Sequence, residues 1–230
     1  MKFLFSTVLF TLLGCKKPAQ TTMTVNTFKP VTVKYLALGD SYTIGQSVDE
    51  ADNFPSQLIS KLNHSDSIDI TSTQIIAKTG WTTQKLLNAM ASENLTDTFG
   101  LVSLLIGVNN QYQGKDTGEY AVQFESLLNK AISLAGGINK DVVVIAIPDY
   151  GYTPFGQSNQ QSISKEIDLF NSINQRIANR YQITYFNITP ISRNYDTDLV
   201  ANDGLHPSAK QYGLWVDLMY NQIKKQLLIQ

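Results

Sequence analysis

The chain is expected to fold as one three-layer α/β domain, a parallel sheet of about five strands with helices on both faces. Three observations point there. Five short runs are rich in Val, Ile and Leu, several almost without interruption, as in strands covered on both faces. They are VTVKYLAL (31–38), IDITSTQIIA (68–77), LVSLLIG (101–107), DVVVIAIP (141–148) and QITYFNI (182–188). Segments with helical periodicity separate them, and sustained strand–helix alternation implies a parallel sheet. No internal repeat, low-complexity block or second linker divides residues 31–230.

The segment before the domain has its own pattern. Lys2 is followed by an apolar run from Phe3 to Leu13, then Gly14 and Cys15. Eleven apolar residues are too few to span a bilayer, which takes about 20, and suit a secretory signal. Cys15 is the only cysteine, so no internal disulfide can form. Leu12-Leu13-Gly14-Cys15 resembles the lipobox of bacterial lipoproteins. That resemblance implies a signal peptide at 1–14, lipid carried by Cys15, and a cell-envelope location on the periplasmic or surface side. Membrane contact would then run through the anchor alone. An ordinary signal peptide with an incidental cysteine is the alternative. The polar, Thr-rich stretch up to residue 30, bracketed by Pro18 and Pro30, reads as a tether.

Within the domain the clearest helix is expected from Gln161 to Arg180, where Ile163, Ile167, Phe170, Ile173 and Ile177 recur at helical spacing. A second should run from Gly118 to Ala135, with Ala121, Phe124, Leu128 and Ala131 on one stripe and Gly136-Gly137 as its stop. A last helix should begin near Pro207 and Ser208. The net charge of −1 and the lack of a Lys/Arg stripe argue against nucleic acid. No His, Cys and carboxylate cluster has metal-ligand spacing, and no Gly-rich phosphate-binding turn follows the first strand. Neither a metal nor a cofactor is therefore expected.

Sites in open α/β sheets form beyond the carboxyl ends of the strands. Polar, Gly-marked segments stand at each such end: Gly39-Asp40-Ser41, Lys78-Thr79-Gly80-Trp81, Gly107-Val108-Asn109-Asn110, Pro148-Asp149-Tyr150-Gly151 and, beyond the last strand, Asp203-Gly204-Leu205-His206-Pro207. All five should crowd onto one edge. A serine hydroxyl is a weak nucleophile until a base takes its proton. Of the two histidines, His64 sits in a polar turn and reads as a surface residue, whereas His206 lies at this edge with Asp203 three positions earlier. Asp203 can orient the imidazole and leave its other nitrogen for Ser41. The backbone N–H groups of Ser41 and Gly80 and the Asn109 side chain are the candidate oxyanion donors. Each segment alone also reads as an ordinary turn; the ordered set is what points to acyl transfer.

GDSYTIG, the Gly80 turn, GVNN and DGLHPS resemble the four sequence blocks of the SGNH (GDSL) hydrolase family, over residues 33 to the C-terminus. The resemblance implies a flavodoxin-like three-layer sandwich, with Ser41 as nucleophile, His206 as base and Asp203 orienting it. Ser41, Gly80 and Asn109 would supply the oxyanion hole. Asn110 is a departure, since many members carry Asp after the block-three Asn. The stretch from Ile147 to Gly156 also resembles a loop of bacterial members, which leaves open whether residues 150–160 close over the site. Asp40, a rival for the acid, adjoins Ser41 and reads as a turn-fixing residue.

Tyr42, Trp81, Tyr112 and Tyr150 are the substrate-binding candidates, with Tyr152 and Phe155 close by. Aromatic rings at an edge pocket would stack on a sugar and favour a short-chain or acetyl ester of a carbohydrate. The same rings would line an acyl channel in a lysophospholipase or thioesterase-like enzyme. A surface lipoprotein that binds glycans without turnover is the reading from another class. It is disfavoured because every catalytic position holds a competent residue. The expected state is a monomer acting on a small ester or acylated glycan.

Overall fold

The computed structural model describes residues 29–93 and 95–229. The expected signal sequence, Cys15 and the tether up to residue 28 lie outside them.

Five parallel strands form one sheet: β1 (Val31–Gly39), β2 (Ile68–Ala77), β3 (Leu101–Leu105), β4 (Val142–Ile145) and β5 (Thr184–Phe186), in the order β2-β1-β3-β4-β5. The order reverses direction at β1, and in such sheets that switch point opens the ligand crevice. Register sharpens this: Gly39, the last residue of β1, pairs with Ala77 on one side and Leu105 on the other. The turns after β1, β2 and β3 therefore start level with one another.

Strands β3, β4 and β5 are shorter than their apolar runs. Ile106, Ala146 and Ile147 are still fully buried, so composition cannot mark where the ladder ends. At Ile147 a side chain replaces the missing strand: its N–H donates to Asn171 Oδ1 (2.8 Å) and its carbonyl accepts from Asn171 Nδ2 (2.9 Å).

The helices cover the sheet in two groups. Following α1 (Ser41–Ile44), α2 (Phe54–Asn63) packs against the C-terminal helix, and α3 (Thr83–Ser92) packs on α5 (Thr117–Leu134), which in turn packs on α6 (Gln160–Arg180). The short helices α4 (Val108–Tyr112) and α7 (Thr189–Ser192) lie at strand ends, and α8 (Ala209–Leu228) closes the chain with Ser208 as its N-cap. The α6 stripe is buried at each expected position. On α5 the buried stripe is Tyr120, Phe124, Leu127, Leu128 and Ala131, so Tyr120 takes the inward place expected of Ala121. Its end is set by Gly136 and Gly137 in the left-handed region.

Candidate active site

The first strand runs into Ser41 through a glycine that no other residue could replace without movement. A Cβ on Gly39 would lie 2.0 Å from Thr43 Oγ1 and 2.4 Å from the Leu105 carbonyl oxygen. The chain turns here into α1, with Asp40 as its N-cap, Oδ1 accepting from the Tyr42 N–H (3.1 Å). Ser41 opens the helix and is almost buried.

Asp40 is fully buried. Burial pushes its carboxyl up to about 7, against the Tyr42 and Gly107 amides and the Asn109 side chain, which favour the ionised form. The folded protein thus holds this proton more tightly than the unfolded chain does. The stability Asp40 contributes is fully present below about pH 4, the ordinary carboxylate range, and is lost as pH rises through about 7. Asp40→Asn keeps an oxygen for the Tyr42 amide and cannot ionise. Its thermal midpoint should gain on the parent's between pH 4 and pH 8. A difference that stays constant across that range would show that Asp40 ionisation plays no part.

The turn after β2 carries Gly80 at φ +78°, and no atom lies within 4 Å of where its Cβ would stand. Backbone conformation, not space, calls for glycine there. After β3 the constraint is doubled. Gly107 has φ +134°, and a Cβ would meet Tyr120 Oη at 2.4 Å and Ile147 Cδ1 at 2.7 Å. Next comes α4, in which Asn109 Nδ2 donates to the Trp81 carbonyl (3.0 Å) while the same amide also favours the ionised Asp40 carboxyl.

The turn after α7 builds the histidine. Asp203 Oδ1 accepts from the N–H groups of Leu205 and His206, both at 2.9 Å. Its Oδ2 accepts from Ser47 Oγ (2.7 Å) and faces His206 Nδ1 at 2.6 Å. Partial burial raises the Asp203 carboxyl, but the Ser47 hydroxyl, the imidazole and the two amides together hold it well below the usual carboxylate range. An ionised carboxylate only accepts, so Nδ1 carries a proton and Nε2 of the neutral ring is free to accept one. Tyr42 packs edge-on against this imidazole with centroids 5.7 Å apart.

Ser41, Gly80, Asn109 and His206 open on one cavity of about 190 Å³. The remaining wall is mainly apolar: Tyr42, Val108, Tyr112, Tyr150, Phe155 and Leu205. Tyr112 and Phe155 are 61% and 51% exposed at its mouth and form a three-ring cluster with Tyr150, centroids 6.2–6.3 Å apart. Tyr42 offers little surface, being packed between His206 and Trp215. Trp81 does not join the lining: its side chain lies half-buried against the core, and its contribution is the carbonyl that holds Asn109. Tyr152 pairs with Tyr195 instead (4.8 Å). His64 is exposed at the end of α2, its ring against the Ser60 carbonyl.

Within residues 150–160, Tyr150 and Phe155 line the cavity and the backbone around them is held by close contacts. A Cβ on Gly156 would lie 2.1 Å from the Tyr150 carbonyl oxygen, Thr153 Oγ1 donates to that same oxygen (2.7 Å), and the Phe155 N–H donates to the Gly204 carbonyl (3.0 Å). At the start of this segment Arg193 bridges Asp149 (2.9 Å) and Asp168 (2.6 Å). Val108 and Leu205 line the cavity from within the expected edge segments, whereas Ser47 carries no sequence signal for its place, being 156 residues from the carboxylate it touches.

Three solved structures share this fold across most of their own length. The psychrotrophic esterase EstA from Pseudoalteromonas sp., in a structure inhibited by monoethylphosphonate, is 20% identical with a TM-score of 0.65, covering 84% of this chain and 97% of that one. The lipase Lip_vut3 from a goat rumen metagenome is 18% identical with a TM-score of 0.68, covering 83% and 97%. Axe2, an acetylxylan esterase from Geobacillus stearothermophilus, is 16% identical with a TM-score of 0.63, covering 87% and 96%. A comparison with curated proteins returned no match. The model of the GDSL-like lipase/acylhydrolase family matches residues 37–214, which contain every segment of the site just described. The chain belongs to the GDSL-like lipase/acylhydrolase family.

Proposed function

We propose that the protein is a serine esterase that cleaves short-chain carboxylic esters, acetyl esters of carbohydrates foremost, through an acyl-enzyme. The observation that carries the reading is that His206, held at Nδ1 by Asp203, opens on the same cavity as Ser41. His206 Nε2 takes the Ser41 proton as Oγ attacks the acyl carbon, and the carboxylate of Asp203 steadies the imidazolium. The tetrahedral oxyanion is met by the Ser41 and Gly80 amides and the Asn109 side chain, each such donor being worth roughly 3–4 kcal/mol. The imidazolium then protonates the leaving alcohol. Water attacks the acyl-serine with His206 again as base, and the acid departs.

Two features favour a small acyl group on a sugar. The cavity of about 190 Å³ is below the roughly 300–1,000 Å³ of sites that enclose a drug-sized ligand. The Tyr112 and Phe155 rings stand exposed at its mouth, where a sugar face could stack. The acetylxylan esterase among the structures of like fold supports the same class. The mainly apolar wall favours the second reading, a lipid esterase. Rates across p-nitrophenyl esters from acetyl to dodecanoyl separate the two: a steep fall beyond butyryl is expected, and a flat or rising profile would overturn the short-chain reading. The protein is further proposed to act as a monomer held in the cell envelope by lipid on Cys15. Among the described residues no helix is long and apolar enough to cross a membrane.

A further inference from the structure

We propose that Asn110 is a positioning residue that sets the spacing between the Gly80 and Asn109 turns, and that Glu119 at the surface dictates which side chain works at position 110. The inference rests on the oxyanion roles proposed above for Gly80 and Asn109.

The two turns follow β2 and β3, which flank β1 and do not pair with each other. No ladder bond fixes the gap between them, so side chains must. One link is Asn109 Nδ2 to the Trp81 carbonyl (3.0 Å). The other is a two-point clamp from Asn110 to Thr83, the first residue of α3, and both residues are buried. Asn110 Oδ1 accepts from the Thr83 N–H (3.0 Å), and Asn110 Nδ2 donates to Thr83 Oγ1 (2.8 Å).

The clamp has a direction, and that direction is written from outside. The Glu119 carboxylate only accepts, so Gln123 must present its amide N–H₂ to it (2.6 Å) and its carbonyl to Thr83. Thr83 must then give its single hydroxyl proton to Gln123 Oε1 (2.5 Å), which leaves Oγ1 only as an acceptor. Position 110 must therefore donate to Oγ1 while accepting from the Thr83 N–H. An asparagine does both; an aspartate does only the second. A carboxylate at 110 would draw the Thr83 proton to itself and leave two acceptors facing each other at Gln123. This accounts for the departure at Asn110 from the aspartate that many members carry: the residue matches the polarity of α5 behind it.

The reversal can be engineered. With an amide at position 119, Gln123 can turn over, donate to Thr83 Oγ1 and accept from the new amide, so that the Thr83 hydroxyl is free to serve a carboxylate at 110. The test is a cycle of Asn110→Asp, Glu119→Gln and the double variant in the full chain. It is read as kcat and KM on p-nitrophenyl acetate and as the thermal midpoint, with Glu119→Gln alone as the baseline for the second substitution. Asn110→Asp is expected to lower kcat about tenfold, a part of the loss from deleting an oxyanion donor outright, with little change in KM. Its midpoint should fall by about 3–6 °C, and the double variant should recover most of both losses.

A midpoint that falls while kcat holds would reduce Asn110 to a structural role and overturn the proposal. So would a double variant no better than Asn110→Asp, or an Asn110→Asp protein equal to the parent. Absence of Ser41-dependent turnover in the parent would instead overturn the esterase reading, and the midpoint cycle would still decide whether the directed network exists.

Discussion

Asp203→Asn is expected to lower kcat for ester hydrolysis by about 10³–10⁴-fold in a protein that still folds, with substrate affinity little changed. The carboxylate accepts from four groups: the Leu205 and His206 amides on Oδ1, and Ser47 Oγ and His206 Nδ1 on Oδ2. A carboxamide retains one oxygen. If that oxygen keeps the two backbone amides, the N–H₂ faces His206 Nδ1 and turns the imidazole into the tautomer whose proton sits on Nε2. That ring cannot receive the Ser41 proton. The imidazolium also loses its counter-charge, so the transition state suffers where the ground state does not. Steady-state kinetics on p-nitrophenyl acetate check this, and a variant within tenfold of the parent would remove Asp203 from the proposed mechanism.

The same contacts set a stability trend of the opposite sign from that of Asp40. Because the Asp203 carboxyl is held low in the folded state, its contribution is present above the ordinary carboxylate range near pH 4 and is lost as pH falls toward the depressed folded value. Asp40 favours acid and Asp203 resists it, although both belong to turns at one cavity. Burial dominates the first, and a full set of donors the second.

Much of this arrangement can be read directly from the chain. The Val/Ile/Leu runs place β3 and β4 most directly, because a strand buried along its whole length has no polar alternation to blur it; β2, at the sheet edge, alternates buried Ile68 and Ile70 with exposed Asp69 and Thr71. The α6 stripe is legible for the complementary reason, as one face is buried and the other wet. Gly39, Gly80 and Gly107 mark the turns, since two need positive φ and two have no room for a Cβ. Strand ends are less legible: burial continues through Ile106 and Ile147 after the ladder has stopped, with Asn171 serving the backbone there.

The polar supports are legible least of all. Ser47 reaching Asp203, or Asn110 reaching Gln123 through Thr83, depends on rotamers chosen by packing among residues far apart in sequence. Local propensity carries no trace of such pairings. Aromatic positions show the same limit. Tyr112 and Phe155 stand at the cavity mouth while Trp81, adjoining a donor turn, packs against the core. All three lie close to motifs, and only the fold separates them.

In the proposed mechanism Ser41 attacks an acyl carbon and holds the acyl group. The most direct measurement mixes the folded protein with excess p-nitrophenyl acetate, quenches in acid within the first turnover and maps the acetyl group by peptide mass spectrometry. A 42-Da increment is expected on the peptide containing Ser41, with modification and turnover both falling to background in Ser41→Ala, a loss on the order of 10⁶-fold in kcat for removal of a nucleophile of this kind. Turnover retained in Ser41→Ala, or an acetyl group found only on other residues, would contradict it.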